Sequence, residues 1–357
     1  MIITAEQRRA RILKVVREAG TIRVIELAER IGTAAVTARR DVAALAESGL
    51  IRRSHGSVSL ADEADSSATH TARERVVGML VPTVGSYFDE VIEGARAAAA
   101  SAGARLVLGI APYESADDRA QITQLLDAGA DGLLLTPNWH PANGSAEAAW
   151  VRELPVPAVL VERLATPDSA AAELDSVGSD HRHGAVLALR HLRGLGHASV
   201  LLVAREDTWT AHQVRVGYAE GVRLLGLQPH PVIDIHRPTL ESAGVAARIS
   251  EAVGQGVRAV LVHNDQEAIQ VAPLLRAGGL RVPDDLALIS YDDVFAALAA
   301  SPLTAVAPPK RAVGATALEL LLRRLNGGYE LPVHHIQLLP ELKVRTSCGG
   351  GIGEEAG

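Results

Sequence analysis

Cysteine is almost missing from this chain: Cys348 is the one thiol in 357 residues, which excludes an internal disulfide and a thiolate metal cluster. It falls in a Gly-rich tail and is read as inert. Aromatic residues make up 3% of the composition, so the surfaces on which a ligand can stack are few. No apolar run approaches the ~18 residues that a membrane-spanning helix requires. The opening stretch, MIITAEQRRARILKVVREAG, is charged and lacks the apolar core of a secretory signal, so a cytoplasmic protein without membrane contact is expected. A Gly-rich phosphate loop, a nucleophile elbow and a zinc signature are missing too, and no Ser/His/Asp set can be assigned roles. His181 with His183, and His334 with His335, lack the helical spacing and the companions of a strong metal site. Neither an enzyme nor a bound cofactor or metal is expected.

What is present is uneven charge. Residues 1–60 carry eleven Arg and Lys against six acids, and the remaining residues carry twenty-four against thirty-six, within a formal net charge of −7. A basic head on an acidic body suits a polyanion at one end only, because neutralised phosphates supply most non-specific DNA affinity. The length is too great for one ordinary core, since single cores stop growing near ~250–300 residues, and fits a small domain joined to a bilobed one.

In the head, Thr4 and Gln7 make a capping box, Ile12, Leu13 and Val16 recur at helical spacing, and Gly20 stops a first helix over about 5–19. A short second helix carries Leu27, Ala28 and Ile31 and ends at Gly32. A third, over about 34–48, turns Ala38, Val42 and Leu45 inward and Thr37, Arg39 and Arg40 outward. This is the geometry with which a helix enters a major groove. After Gly49 the alternating stretch through Arg52, Arg53 and His55 to Val58 turns at Gly56 and reads as a β-wing. Residues 1–60 are therefore expected to be a winged helix-turn-helix, followed by a linker over 61–74 with no apolar side chain larger than Ala.

Three ordered blocks carry a family likeness in the head: Glu26 to Gly32, Thr37 to Val42, and Gly49 to Gly56. They resemble the DeoR-type winged helix. The resemblance implies double-stranded DNA as partner, touched by Thr33, Thr37, Arg39, Arg40, Arg52, Arg53 and His55. Ala34 stands where that family usually has a capping serine, so Thr33 is expected to cap one residue earlier.

From Arg75 onward, β-rich runs alternate with helical stretches at a spacing of about 28 residues, which predicts α/β architecture with parallel sheets. The runs fall in two sets: Val76 to Val81, Arg105 to Ile110, Gly132 to Thr136 and Ala158 to Val161, then Ser199 to Val203, Pro231 to Ile235, Arg258 to Val262 and Ala287 to Tyr291. Two sets predict two doubly wound lobes with a ligand cleft at their strand ends. The blocks Asn264 to Ala268, Gly279 to Leu286, Tyr291 to Asp293 and Ser301 to Val306 resemble the LacI/GalR repressor core, which is similar to periplasmic binding proteins. By that resemblance the core spans 75–347, with lobe 1 at about 75–178 and 308–327 and lobe 2 at about 179–306 and 332–347. The chain is expected to cross between lobes near Gly178 to His181, Ala305 to Pro309 and Gly327 to Pro332, leaving a disordered tail at 348–357.

The resemblance implies effector contacts at Asp265 and at Glu162 with Arg163. Tyr87 and Phe88 replace part of an Asn-Pro-Phe-Phe motif, and Arg215 lies one step from the usual arginine position, which Val214 fills. Tyr87, Phe88, Trp139, Trp209, Tyr291 and Phe295 all fall at or just beyond strand ends, where an aromatic plane would stack on a sugar. Trp209 and Asp292 complete the expected site. The function implied is a ligand-responsive transcriptional repressor, a homodimer on a repeated or palindromic operator, with a mono- or disaccharide as effector. The alternatives are the same architecture sensing a nucleobase or nucleoside, or a sugar-binding protein without a DNA function.

Overall fold

A computed structural model describes residues 5–33, 35–47, 51–54, 57–60, 74–113, 118–139, 148–238, 240–327 and 331–350. The chain divides into two units, Met1–Glu74 and Arg75–Gly357.

The amino-terminal unit runs α1 (Ala5–Ala19), β1 (Thr21–Arg23), α2 (Val24–Ile31), α3 (Ala35–Glu47), β2 (Ile51–Ser54) and β3 (Ser57–Leu60). The strands form an antiparallel sheet in the order β1-β3-β2. Ile12 and Val16 of α1, Leu27 and Ile31 of α2, and Ala38, Val42 and Leu45 of α3 meet in one core, as their helical spacing requires. Gly32 ends α2 in the left-handed region, at φ 69°, where a residue without Cβ sits unstrained. Asp41 is buried and accepts hydrogen bonds from Arg8 Nε at 2.9 Å and Arg9 Nε at 3.4 Å, clamping α1 onto α3. Strand β1 was not expected; three residues are too few to show an alternation. Thr4, Ala34, His55, Gly56 and residues 61–73 of the expected linker lie outside the described residues.

In the second unit, lobe 1 begins with β4 (Arg75–Val81), α4 (Tyr87–Ser101), β5 (Ala104–Ile110), α5 (Asp118–Asp127), β6 (Gly132–Leu135), β7 (Ala158–Val161) and β8 (Asp175–Ser179). Lobe 2 follows with α6 (His181–Gly194), β9 (Leu201–Arg205), α7 (Trp209–Leu225), β10 (Ile233–Ile235), α8 (Ser242–Gly254), β11 (Ala259–His263), α9 (Asp265–Ala277), β12 (Ala287–Tyr291) and β13 (Thr304–Ala307). The chain then returns to lobe 1 for α10 (Lys310–Gly327) and β14 (His335–Leu338), and to lobe 2 for β15 (Glu341–Lys343). The sheets have orders β14-β8-β7-β6-β4-β5 and β10-β9-β11-β12-β13-β15, parallel except for β15. Helices cover both faces, which is why central strands such as β4, β6 and β11 are runs of buried aliphatics and not alternating patterns.

The first two crossings lie at Asp180 and at Pro308 with Pro309. The third differs from the expected position. Residues 335–338 pair in parallel with β8, His335 opposite Ser176, so lobe 1 extends to Leu338 and the crossing lies at Leu339 and Pro340. Leu331 and Pro332 stay in lobe 1, where Arg324 of α10 donates to their carbonyls and pairs with the buried Asp175; residues 328–330 lie outside the described residues. Cys348 also departs from expectation. It closes a 3₁₀ turn, Thr346–Cys348, buried in the lobe 2 core with Thr304 Oγ1 at 3.1 Å from its sulfur, while Ser347 Oγ donates to Leu288 O at 2.6 Å. Only residues 351–357 of the expected tail lie outside the described residues.

Helices α4 and α10 pack against each other through Gly94 and Gly314. A Cβ at Gly314 would collide with the Val91 carbonyl, and one at Gly94 with the Arg311 carbonyl, so the two backbones approach as only glycine permits. Gly314→Ala is expected to force the helices apart and destabilise the core by about 1–3 kcal/mol. A thermal or urea unfolding curve checks this; an unchanged midpoint would refute the close approach.

Candidate effector site

Strand order decides where the polar chemistry gathers. In lobe 1, β4 has β5 on one side and β6 on the other; in lobe 2, β9 lies between β10 and β11. The connections leave these strands in opposite directions and open a crevice at their carboxyl ends, where open α/β sheets bind ligands. There the lobes enclose a cavity of about 400 Å³. Lobe 1 contributes Pro82 to Phe88 after β4, with Pro112 and Tyr113 after β5. Lobe 2 contributes Arg205, Thr208 and Thr210 around the end of β9, His263, Asn264 and Gln266 after β11, and Asp292 after β12.

Of the expected effector contacts, Tyr87, Phe88 and Asp292 line this cavity. The rings of Tyr87 and Phe88 meet edge to face, with centroids 5.3 Å apart. Asp292 is 5% exposed and its Oδ1 has no hydrogen-bond partner among the described residues. Burial first, and then the neighbouring Asp265, push its carboxyl up to about 7.

Glu162, Arg163 and Trp209 lie behind the cavity, around a space of about 20 Å³ beside the first crossing, room for a single water. The Glu162 carboxylate is fully occupied. Oε1 accepts from Tyr87 Oη at 2.7 Å and Ser179 Oγ at 2.8 Å, Oε2 accepts from Ser179 N at 3.0 Å, and His181 Nε2 stands 3.4 Å from Oε2. Burial would raise its pKa, but the contacts from His181, Ser179 and Tyr87 outweigh burial and hold it at about 2. Arg163 donates Nε to Pro137 O at 2.6 Å and Nη1 to Glu162 O at 2.8 Å, and its charge acts on Tyr113 of the cavity wall.

Asp265 is not in the cavity. It opens α9 instead of ending β11, and its Oδ2 accepts from the amides of Val294, Phe295 and Ala296 at 2.7, 2.6 and 3.2 Å, pinning the loop after β12. Its neighbours in sequence, Asn264 and Gln266, take the wall positions. Arg215 reaches Asp234 at 2.8 Å and the carbonyls of Ala204 and Arg205. Trp139 and Tyr291 are core residues of lobe 1 and lobe 2.

Arg205, His263, Tyr113 and the threonines escaped sequence reading. Ending the strand runs at Val203 and Val262 placed Arg205 and His263 in loops, whereas they are the last residues of β9 and β11. A polar residue directly after a buried aliphatic run was the available signal.

In the head, Arg40 is exposed on α3 and Thr37 beside it is half-buried. Thr33 is half-buried and its amide donates to Ala28 O at 3.0 Å. Arg39 belongs to α3, and Arg52 and Arg53 to β2.

The raised Asp292 carboxyl sets a pH dependence. An Asp with an ordinary value of 3.8 unfolded and about 7 folded weakens the fold progressively as pH rises between those values. His263, held down at about 3 chiefly by burial, acts oppositely below its ordinary 6.5. Asp292→Asn removes the first effect alone. It is expected to stabilise the core at pH 8 by up to about 4 kcal/mol, with a gain that shrinks toward pH 5. Unfolding curves at the two pH values check this, and an equal effect at both would contradict the assignment.

A model of the DeoR-like helix-turn-helix domain matches residues 8–64, and one of the periplasmic binding protein-like domain matches residues 189–348. The HTH-type transcriptional regulator MalR of Streptomyces coelicolor is 30% identical over 254 residues, 68% of this chain and 71% of MalR. The HTH-type transcriptional repressor CytR of Escherichia coli is 28% identical over 257 residues, 71% and 73% of the two chains. Among solved structures, the Lac repressor dimer bound to operator and the anti-inducer ONPF superposes with a TM-score of 0.67 at 20% identity, over 80% of this chain and 96% of that one, a likeness of fold. The chain belongs to the LacI family of ligand-responsive, DNA-binding transcriptional regulators, and carries a DeoR-like helix-turn-helix at its amino end.

Proposed function

We propose that this regulator is a homodimeric repressor whose affinity for a duplex operator is set by a mono- or disaccharide closing the cleft between the lobes. The observation that carries the reading is the cavity of about 400 Å³ at both switch points. Its wall combines hydroxyl and amide groups of Thr83, Ser86, Thr208, Thr210, Asn264 and Gln266 with the rings of Tyr87, Phe88 and Tyr113. Sugars present hydroxyls and an apolar C–H face, and such a wall answers both. The same rings opposite two carboxamides also suit a nucleobase, which is the second reading.

In the head, Thr37, Arg39 and Arg40 meet base edges and phosphates in the major groove, Thr33 meets a phosphate, and Arg52, Arg53 and His55 follow the flanking backbone. A ligand that binds the closed core better than the open one shifts DNA affinity by that difference.

Fluorescence anisotropy of the full chain on duplexes from its own upstream region tests this. Binding should weaken steeply with salt, and Arg40→Ala should weaken it by about 1–3 kcal/mol. A monosaccharide or disaccharide should move the midpoint; a nucleoside doing so in its place would favour the second reading. Absence of salt-sensitive association with any duplex would overturn both.

A further inference from the structure

The groups expected to grip a neutral sugar are occupied within the fold, and those left on the cavity wall lean positive. Arg205 is the clearest. Asp207 holds its Nε and Nη2 at 2.8 and 2.7 Å, which leaves Nη1 without a hydrogen-bond partner among the described residues. His263 is 3% exposed and its Nδ1 has no partner either. The amino ends of α4, α7 and α9 reach the same wall, marked by Tyr87, Thr208 and Asn264. The side chains of Ser86 and Asn264, which precede α4 and α9, make no cap, although Asp89 and Glu90, and Asp265 and Glu267, stand in the first turns of those helices.

We propose that the effector is an anionic sugar, its carboxylate or phosphate seated against Arg205 Nη1 and His263 Nδ1 at the lobe 2 wall, with its hydroxyls on the threonines and Gln266. This rests on the sugar reading and narrows it. A neutral ring can answer Arg205 Nη1 and His263 Nδ1 only with hydroxyl oxygens, whereas an anion answers the guanidinium with a stronger, charge-assisted hydrogen bond. A carboxylate or phosphate accepts from both, and a neutral His263 donates in its Nδ1–H tautomer. Burial first, and then His181, Arg205 and Arg215, depress the His263 pKa to about 3, so the ring meets a ligand in its neutral form.

Among the described residues, Asp292 is the one carboxylate that lines the wall. The groups that face it are Asp265 from α9, His181 from α6, Lys310 from α10, Arg205 from β9, Tyr291 from β12, Tyr87 from α4 and Tyr113 after β5. An incoming anion disfavours its ionised form, so Asp292 takes a proton from solvent on binding and donates its O–H. Anion binding is therefore coupled to proton uptake, and neutral-sugar binding is not.

Isothermal titration of the full chain with D-gluconate, D-glucuronate, D-ribose 5-phosphate and D-glucose 6-phosphate tests this, with D-glucose, D-ribose and uridine as neutral ligands. At least one anion should bind more tightly than its neutral parent, and the acid and phosphate arms identify which group the site takes. Arg205→Gln should weaken that anion about 10- to 150-fold, and Arg205→Lys should recover part of the loss. For a sugar acid, whose own carboxyl titrates well below neutrality, affinity should fall from pH 6.5 to 8.5 in wild type and stay flat in Asp292→Asn. Saturable binding of a neutral sugar that Arg205→Gln leaves unchanged would overturn the anion proposal while the sugar reading stands. Uridine binding with no response to any sugar would overturn both.

Discussion

Covering both faces of each sheet is the constraint from which the rest follows. A central strand such as β4 or β11 has no water on either side, so its interior must be aliphatic and its backbone fully paired. Polar chemistry is thereby driven to the carboxyl ends, and the reversal of strand order beside β4 and β9 opens a gap at two of those ends. Every residue of the cavity wall lies at or within a few residues of a strand end or a helix start. Most of the wall is thereby separate from the aliphatic core, although Phe88 belongs to both.

The exception is the first crossing, where ionisable side chains sit inside the fold. Glu162 reaches Tyr87 in lobe 1, Ser179 on the crossing strand and His181 at the start of lobe 2. From His181, Nδ1 lies 3.3 Å from Tyr291 Oη, and Tyr291 immediately precedes Asp292 in the cavity wall. A buried carboxylate is tolerated only when its lone pairs are met, and here four contacts meet them. The left-handed backbone of Glu162, at φ 52°, turns the side chain toward this cluster. The Glu162 carboxylate is thus a strut that joins side chains of both lobes.

The fold was legible because its signal is redundant. Repeated aliphatic runs, helical spacing in the head and glycine stops each pointed to the same elements, and an error of two residues in a strand boundary did no harm to the topology. The site had no such redundancy. Shifting the end of β9 from Val203 to Arg205 decides whether an arginine is a loop residue or a wall residue. Asp265 shows the deeper limit: Asp at a helix start is equally good as a ligand contact and as an anchor for amides, and only the tertiary position of residues 294–296 selects the second. The third crossing was misplaced for a similar reason, since an edge strand with exposed His335 and Gln337 does not look like part of a sheet.

The crossings also constrain how the core can respond. One consists of Pro308 and Pro309, and another contains Pro340. The pyrrolidine ring fixes φ, so these connections bend over a narrow range. The remaining crossing, Asp180, is flanked by Ser179 and His181, both tied to Glu162. Motion of one lobe on the other is then directed by two stiff connections and a hydrogen-bonded strut, which favours a few discrete arrangements over a continuum. A ligand that touches Tyr87 and Phe88 from one lobe and Arg205, Gln266 and Asp292 from the other makes its full set of contacts in only one of those arrangements. Its free energy of binding therefore differs between states, and that difference is all that a regulator can transmit to DNA.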